Sequence, residues 1–388
     1  MNSTFLSSSA ATLRPSVFAE LTPRIRALGA RCIPLHIGDT YRLPPQATLD
    51  MLRGAEMTTT RYFKYTHPHG SQDFMEALVK KLGRDNDIAA DLDCLQVTCG
   101  ATQGLCAVTQ TLMNPDDELI VLCPHWPLIR GIVETIGGKV VDAPYTESIE
   151  DPEKVLGPLV SARTKAIYLA NPNNPDGQLL NREKAQKIYD YAASQNLFLI
   201  SDEAYEHLVY EGHEKVSLGA LDRGGDRPRV ISVFTFSKSF GMAGMRVGYV
   251  VGPPDVMTYV RRVSTHQIYD LSDLAQGAAL AALEQPRADY DSYLRELVGV
   301  YQEARDLLHS AFQGAPLPPG GAYLYVPFES KEAAWEAMLR WLEEGVSSAP
   351  GEAFGGLHPH CLRLCFTATP LEKLQEAVAI IKRLGSLT

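Results

Sequence analysis

In the stretch FTFSKSFGMAGMRVGY, residues 234–249, Lys238 stands among small hydroxyls and glycines directly after an apolar run, with Arg246 following. A lysine in nearly apolar surroundings loses hydration unless it is paired, so this position points to an amine that is neutralised or used covalently. A surface lysine at a strand end would satisfy the same short motif. The S-x-x-K pattern of β-lactamases does not apply, because position 235 is Thr and neither S-D-N nor K-T-G occurs. A second reactive group lies in LISDEAY, where Asp202 closes an apolar run; a carboxylate buried there is costly without a cationic partner. TCGATQGL, from Thr98, is a glycine turn opening a helical pattern, a place where backbone N–H groups and a helix N-terminus can hold an anion such as phosphate.

These groups need elements that bring them together. From about residue 75 onward, amphipathic helical segments alternate with short apolar strands, the pattern of a mostly parallel sheet covered by helices on both faces. SQDFMEALVKKLGRD reads as helix, and LQVTCGATQGLCAVTQTLM as strand, turn and helix. Further strands are expected at ELIVLCPHW, TKAIYLANP, LFLISDEAY, RVISVFTFSK and RVGYVVG, with NREKAQKIYDYAASQN as a helix among them. Ligands of such sheets bind beyond the carboxyl ends of the strands, so five strand-end motifs point at one place. YDSYLRELVGVYQEARDLLHSAF then reads as a long helix into a smaller C-terminal α/β unit holding GGAYLYVPF, AAWEAMLRWLEEG and CLRLCFT. The two tryptophans of the second of these segments are expected to pack in a core.

With 388 residues the chain has length for two domains and an ample core, and 45% hydrophobic with 21% charged residues excludes disordered and collagen-like architectures. A formal charge of −10 argues against nonspecific nucleic-acid binding. Seven cysteines without a C-x-x-C pair read as reduced thiols, hence a cytoplasmic protein without disulfides. No apolar stretch reaches the roughly 18 residues that span a bilayer. MNSTFLSSSAATLRPS lacks a secretory h-region and reads as a frayed tail before the helix-like SVFAELTPRIRALGA. The two His-Pro-His segments, His67/His69 and His358/His360, lack an accompanying ligand set with zinc spacing, so no metal is expected.

In order and spacing, the motifs resemble those of class I/II aminotransferases, fold type I pyridoxal-phosphate enzymes, from about residue 35 to the C-terminus. The resemblance implies a large domain with a mostly parallel seven-stranded sheet flanked by helices, and a smaller C-terminal α/β domain. Its boundaries would be an arm at 1–40 that contributes to the small domain, a cofactor domain at 41–285, and a linking helix with the small domain at 286–388. The cofactor would be pyridoxal 5'-phosphate. Lys238 would form the Schiff base and, once freed, act as base on the substrate Cα–H. Gly100, Ala101, Thr102, Ser237 and Arg246 would hold the phosphate. Asp202 would pair with the ring nitrogen, Tyr205 and Asn174 with the phenolic oxygen, and Trp126 would lie on a ring face. Arg363 would bind the substrate α-carboxylate, with a backbone donor from Gly38 and Tyr41 nearby. Tyr65 matches a tyrosine that reaches the phosphate of a neighbouring subunit, which implies a homodimer.

The family's usual Gly-x-Pro-Asp-Phe appears as Gly38-Asp39-Thr40-Tyr41, position 176 is Asp where Thr or Ser is common, and Cys365 stands where Ser is usual. These departures set the side-chain pocket apart from that of a standard aspartate enzyme. Tyr41, Tyr269 and Trp126 could line an aromatic or an aliphatic pocket. The implied reaction is ping-pong transfer of an amino group from an amino acid to a 2-oxo acid. A β-C–S lyase, a cyclising synthase or an amino-acid oxidase would use the same site, and a regulator on this fold would carry an added DNA-binding domain. Neither a nucleic-acid nor a membrane partner is expected.

Overall fold

Where Val, Ile and Leu run between glycine or polar punctuation, the chain forms strands. A computed structural model describes residues 7–13, 18–222 and 228–385. Its strands are β1 (Ile33–Pro34), β2 (Leu95–Thr98), β3 (Glu118–Cys123), β4 (Lys139–Pro144), β5 (Thr164–Ala170), β6 (Phe198–Asp202), β7 (Val230–Thr235), β8 (Gly248–Val251), β9 (Tyr323–Pro327), β10 (Val346–Ser347), β11 (Ala349–Pro350) and β12 (Cys361–Cys365). The frayed-tail reading of residues 1–16 falls partly on residues outside those described; within it, Ser8–Thr12 is helical.

Seven strands form the large sheet in the order β2-β8-β7-β6-β5-β3-β4. β8 runs antiparallel to both neighbours and the other pairings are parallel. Mostly parallel sheets are buried on both faces, and the strands read accordingly. In β7, Ile231 and Val233 pack on the face shared with Leu105 and Val108 of the Gly100–Leu112 helix, while Phe234 points to the opposite cluster with Phe74 and Tyr249. The strand at β4 goes unrecognised in sequence, because Lys139 and Asp142 interrupt its apolar run; it is the half-exposed edge and pairs only with β3. All other expected strands and helices of this sheet are present.

The helix Arg287–His309 leads from the large sheet to a three-stranded antiparallel sheet, β11-β12-β9. The helices Lys331–Glu343 and Leu371–Leu384 join it in one core around Leu364 and the fully buried Trp341, with Trp335 at its edge. Near the N-terminus, β1 pairs with β10, Ile33 opposite Val346, and Leu21, Ile33 and Leu35 enter the same core. This pairing places residues 36–38, directly after β1, against β12. All seven cysteines are free thiols. Among the described residues no helix is long and apolar enough to cross a membrane.

Candidate active site

Five of the six strands that run parallel in the large sheet end at one cavity of about 480 Å³. Ala101 and Thr102 enter from the helix that follows β2, and Trp126 with Leu128 from the turn after β3. Asn174 follows β5, Asp202 and Tyr205 close β6, and Ser237 and Lys238 follow β7. Arg246 stands at the rim before β8. The opposite wall comes from the smaller unit, with Tyr323 of β9, Arg363 of β12, and His36, Ile37 and Gly38 after β1.

Burial pulls the Lys238 ammonium below its ordinary pKa, and its Nζ donates to the Gly38 carbonyl. Gly38 has no alternative residue there: a Cβ would fall 2.0 Å from Tyr323 Oη. Asp202 is raised from 3.8 to about 6 by burial, against the opposing effect of two neutral donors, Tyr168 Oη at 2.9 Å and the Ala204 N–H at 3.2 Å. Parallel pairing of β5 and β6 sets Tyr168 beneath it. Tyr205 and Tyr323 share a hydroxyl hydrogen bond with their rings edge to face.

Arg363 is buried and held on three sides. Nη1 donates to Asn174 Oδ1 at 3.0 Å, Nη2 to the His36 carbonyl at 2.7 Å, and the guanidinium lies 4.2 Å from the centre of the Tyr323 ring. Its Nε–H is buried without a hydrogen-bond partner. At the far end, Arg246 takes a left-handed backbone (φ +57°), a strain of about 1–2 kcal/mol for a residue with a Cβ. Its Nη1 donates to the Ala243 carbonyl at 2.8 Å. Gly100 beside it also has positive φ (+72°), and a Cβ there would fall 2.5 Å from Arg246 Nη2. Ser237 joins Thr235 through their hydroxyls at 2.8 Å.

A family model for aminotransferase class I and II matches residues 30–381. The chain belongs to that family. The aspartate/prephenate aminotransferase of Thermus thermophilus is 33% identical over 324 residues, 81% of each chain. The aspartate aminotransferase of Bacillus subtilis is 28% identical over 395 residues, 96% of each. Among solved structures, a single mutant of Thermus thermophilus aspartate aminotransferase matches with a TM-score of 0.89 at 29% identity, covering 98% of this chain and 99% of that one. The aromatic aminotransferase of Pyrococcus horikoshii matches with a TM-score of 0.83 at 27% identity, covering 94% and 98%.

Class I and II aminotransferases depend on pyridoxal phosphate, and the cavity has the chemistry to take it. A buried carboxylate with only neutral donors suits a cationic ring nitrogen, a rim arginine beside a helix N-terminus suits a phosphate, and a buried Nε–H suits a carboxylate. Not every expected residue lies on this wall. Tyr41 was expected near the substrate, but its backbone N–H is tied to the Thr367 carbonyl at 3.0 Å, and its ring packs edge to face with Tyr301, 6.2 Å between centroids. Tyr41 is half-buried against the small unit's core, and His36 and Ile37 line the cavity. Tyr65 is 82% exposed, off the cavity of its own chain and against Tyr269. Gly100 meets Arg246 without lining the cavity itself.

Tyr168, Tyr323 and His36 escape the sequence reading. Only Tyr168 left a local signal, a phenol inside an otherwise apolar strand. The second His-Pro-His segment also gains a neighbour: His358, His360 and the adjacent Cys361 bring ligand atoms within 4.8 Å of one another. Burial pushes the Cys361 thiol up to about 12.

Proposed function

We propose that this aminotransferase binds pyridoxal 5'-phosphate in the cavity and moves an amino group from an amino acid to a 2-oxo acid by a ping-pong route. The observation that carries the reading is the convergence of Lys238, Asp202 and Arg363 on one cavity. Gly100, Ala101, Thr102, Ser237 and Arg246 would hold the phosphate, Asp202 the ring nitrogen, Tyr205 and Asn174 the ring hydroxyl, and Trp126 a ring face. Bound there, the cofactor would supply an aldehyde for the amine and an electron sink that makes the substrate Cα–H labile.

The chain's own residues do the rest. Arg363 is fixed by Asn174, the His36 carbonyl and the Tyr323 ring, so it offers its fork to the substrate α-carboxylate without reorganising. Lys238, whose pKa burial lowers, is the group that takes the proton from the substrate Cα and returns it. Gly38 presents its carbonyl to that amine and holds it on the cavity side. Asp202, flanked by Tyr168 and the Ala204 N–H, would pair with a protonated ring nitrogen of the bound cofactor. Both amino acid and oxo acid carry an α-carboxylate, and the cavity has one buried fork for it. The oxo product must therefore leave before the second substrate enters, which gives the ping-pong order.

The active unit is proposed to be a homodimer. Tyr65, with Phe63 and Tyr269 also exposed, forms an aromatic surface that a second copy can cover, letting Tyr65 reach the neighbouring phosphate.

The test is a half-reaction. Purified protein loaded with pyridoxal phosphate and mixed with a single amino acid should lose its visible absorbance band and yield pyridoxamine phosphate and the matching oxo acid. Ammonia and pyruvate without pyridoxamine phosphate would show elimination instead.

A further inference from the structure

This inference rests on the transamination reading and concerns the substrate side chain. The cavity wall carries three strongly basic side chains, Lys238, Arg246 and Arg363, and each has a duty: proton transfer, phosphate and α-carboxylate. The remaining basic group is His36. Its Nδ1 lies 2.7 Å from Ser347 Oγ, and burial together with the Arg363 charge lowers its pKa to about 4, so the ring is neutral at ordinary pH. Arginines near the same wall are already committed. Arg130, on the helix that begins at Leu128, meets Asp142 at 2.7 Å, and Arg42 pairs with Glu296. Among the described residues, a second carboxylate on the substrate would therefore lose water without gaining an uncommitted cation, an unfavourable exchange.

Part of the remaining wall is apolar, formed by Ile37, Trp126, Pro127 and Leu128. Ile37 follows β1 and Leu128 opens its helix; both line the cavity, yet they are 48% and 55% exposed. Large aliphatic side chains at the rim of such a site gain by being covered, and an apolar group on the substrate would cover them. Trp126 and Pro127 continue the same surface.

We propose that the amino donor of this enzyme carries an uncharged apolar side chain, aliphatic or aromatic, which packs against Ile37 and Leu128, and that dicarboxylic donors are disfavoured. The protein loaded with pyridoxal phosphate is mixed separately with leucine, phenylalanine, aspartate and glutamate, and the half-reaction is followed by the loss of the visible band. Leucine or phenylalanine should react with a second-order rate constant about a hundredfold above that of aspartate. Aspartate or glutamate reacting as fast or faster overturns the proposal while leaving transamination intact; a cation supplied by a second copy of the chain would produce that result. Failure of all four overturns this proposal, whereas transamination itself falls only if none of the twenty amino acids yields pyridoxamine phosphate. The variant Leu128→Lys sharpens the outcome: it should raise the aspartate rate at least about tenfold and lower the leucine rate. An unchanged ratio in that variant removes Leu128 from the substrate wall and overturns the assignment.

Discussion

Asp202 and Glu206 stand one turn apart at the end of the same strand, both buried, and their surroundings differ in kind. Although burial pushes Glu206 up, Lys215 and Lys81 hold it well below the usual carboxylate range. Lys81 Nζ meets both of its oxygens, Lys215 Nζ lies at 2.8 Å and Asn86 Nδ2 at 2.9 Å. The Lys81 ammonium also sits 4.9 Å from the centre of the Phe234 ring. Both oxygens are answered by an ammonium from within the chain. Asp202 receives only a phenol and a backbone N–H, and it opens on the cavity. Glu203 separates the two variables: its donors are the hydroxyls of Ser201, Ser217 and Ser232, and it does not reach the cavity. A saturated buried ion pair anchors the turn, whereas a carboxylate short of positive charge beside a cavity is where a cationic ligand group fits.

The same contrast separates the two buried lysines, and the largest expected effect lies there. Lys238→Ala should lower turnover by more than about 10⁴-fold with folding intact, because among the described residues no other lysine lines the site; near-normal turnover would end the covalent assignment. Asp202→Asn should cost roughly a thousandfold in turnover, about 4 kcal/mol. In the wild type, affinity for pyridoxal phosphate should fall as pH drops through about 6 and Asp202 takes a proton. The Asn variant should lack that component, and identical titration profiles would remove Asp202 from the cofactor.

Lys81→Met should act the other way round. It should reduce unfolding stability by about 3 kcal/mol, because Glu206 keeps Lys215 but loses its central partner. Turnover per folded molecule should stay within about threefold, and a selective loss of turnover would erase the distinction between the two carboxylates.

Glu203 brings a pH signature of its own. Burial raises it from 4.5 to about 7, so the folded state holds the proton more tightly than the unfolded chain does. The stabilisation is complete below the unfolded value of 4.5 and is lost as pH rises toward about 7. Glu203→Gln cannot ionise, so relative to wild type it should gain roughly 2–3 kcal/mol across that window in urea unfolding, and a constant difference would count against the buried acid. The smallest effect is expected of Tyr168→Phe. Removing one donor from Asp202 should change turnover about fivefold, near 1 kcal/mol, with a raised apparent pKa in the pH–rate profile. An unmoved profile would leave Tyr168 a packing residue only.

Legibility in the sequence followed the range of the interactions. Alternation of apolar strands with amphipathic helices is a local pattern, so the sheet and its ordered strand-end motifs were open to reading, as were Lys238, Asp202 and the turn at Gly100. Edge strand β4 was missed because an edge does not need a continuous apolar run. The packing of Tyr41 beside Tyr301, off the cavity wall, was not open to reading because nothing in its neighbourhood shows that its backbone is tied to Thr367.

By itself, the sequence determined which groups stand at the ends of consecutive strands, since each sits within a few residues of the apolar run that carries it. Tertiary structure alone decided what faces them across the cavity. Asn174 meets Arg363 from 189 positions away and the His36 carbonyl meets it from 327, because β1 pairs with β10 and brings the N-terminal segment against β12. The Tyr168 hydroxyl reaches Asp202 through the register of two parallel strands, and Gly38 closes on Tyr323 because a Cβ would not fit. Such contacts depend on the path of the whole chain, and no local spacing encodes them.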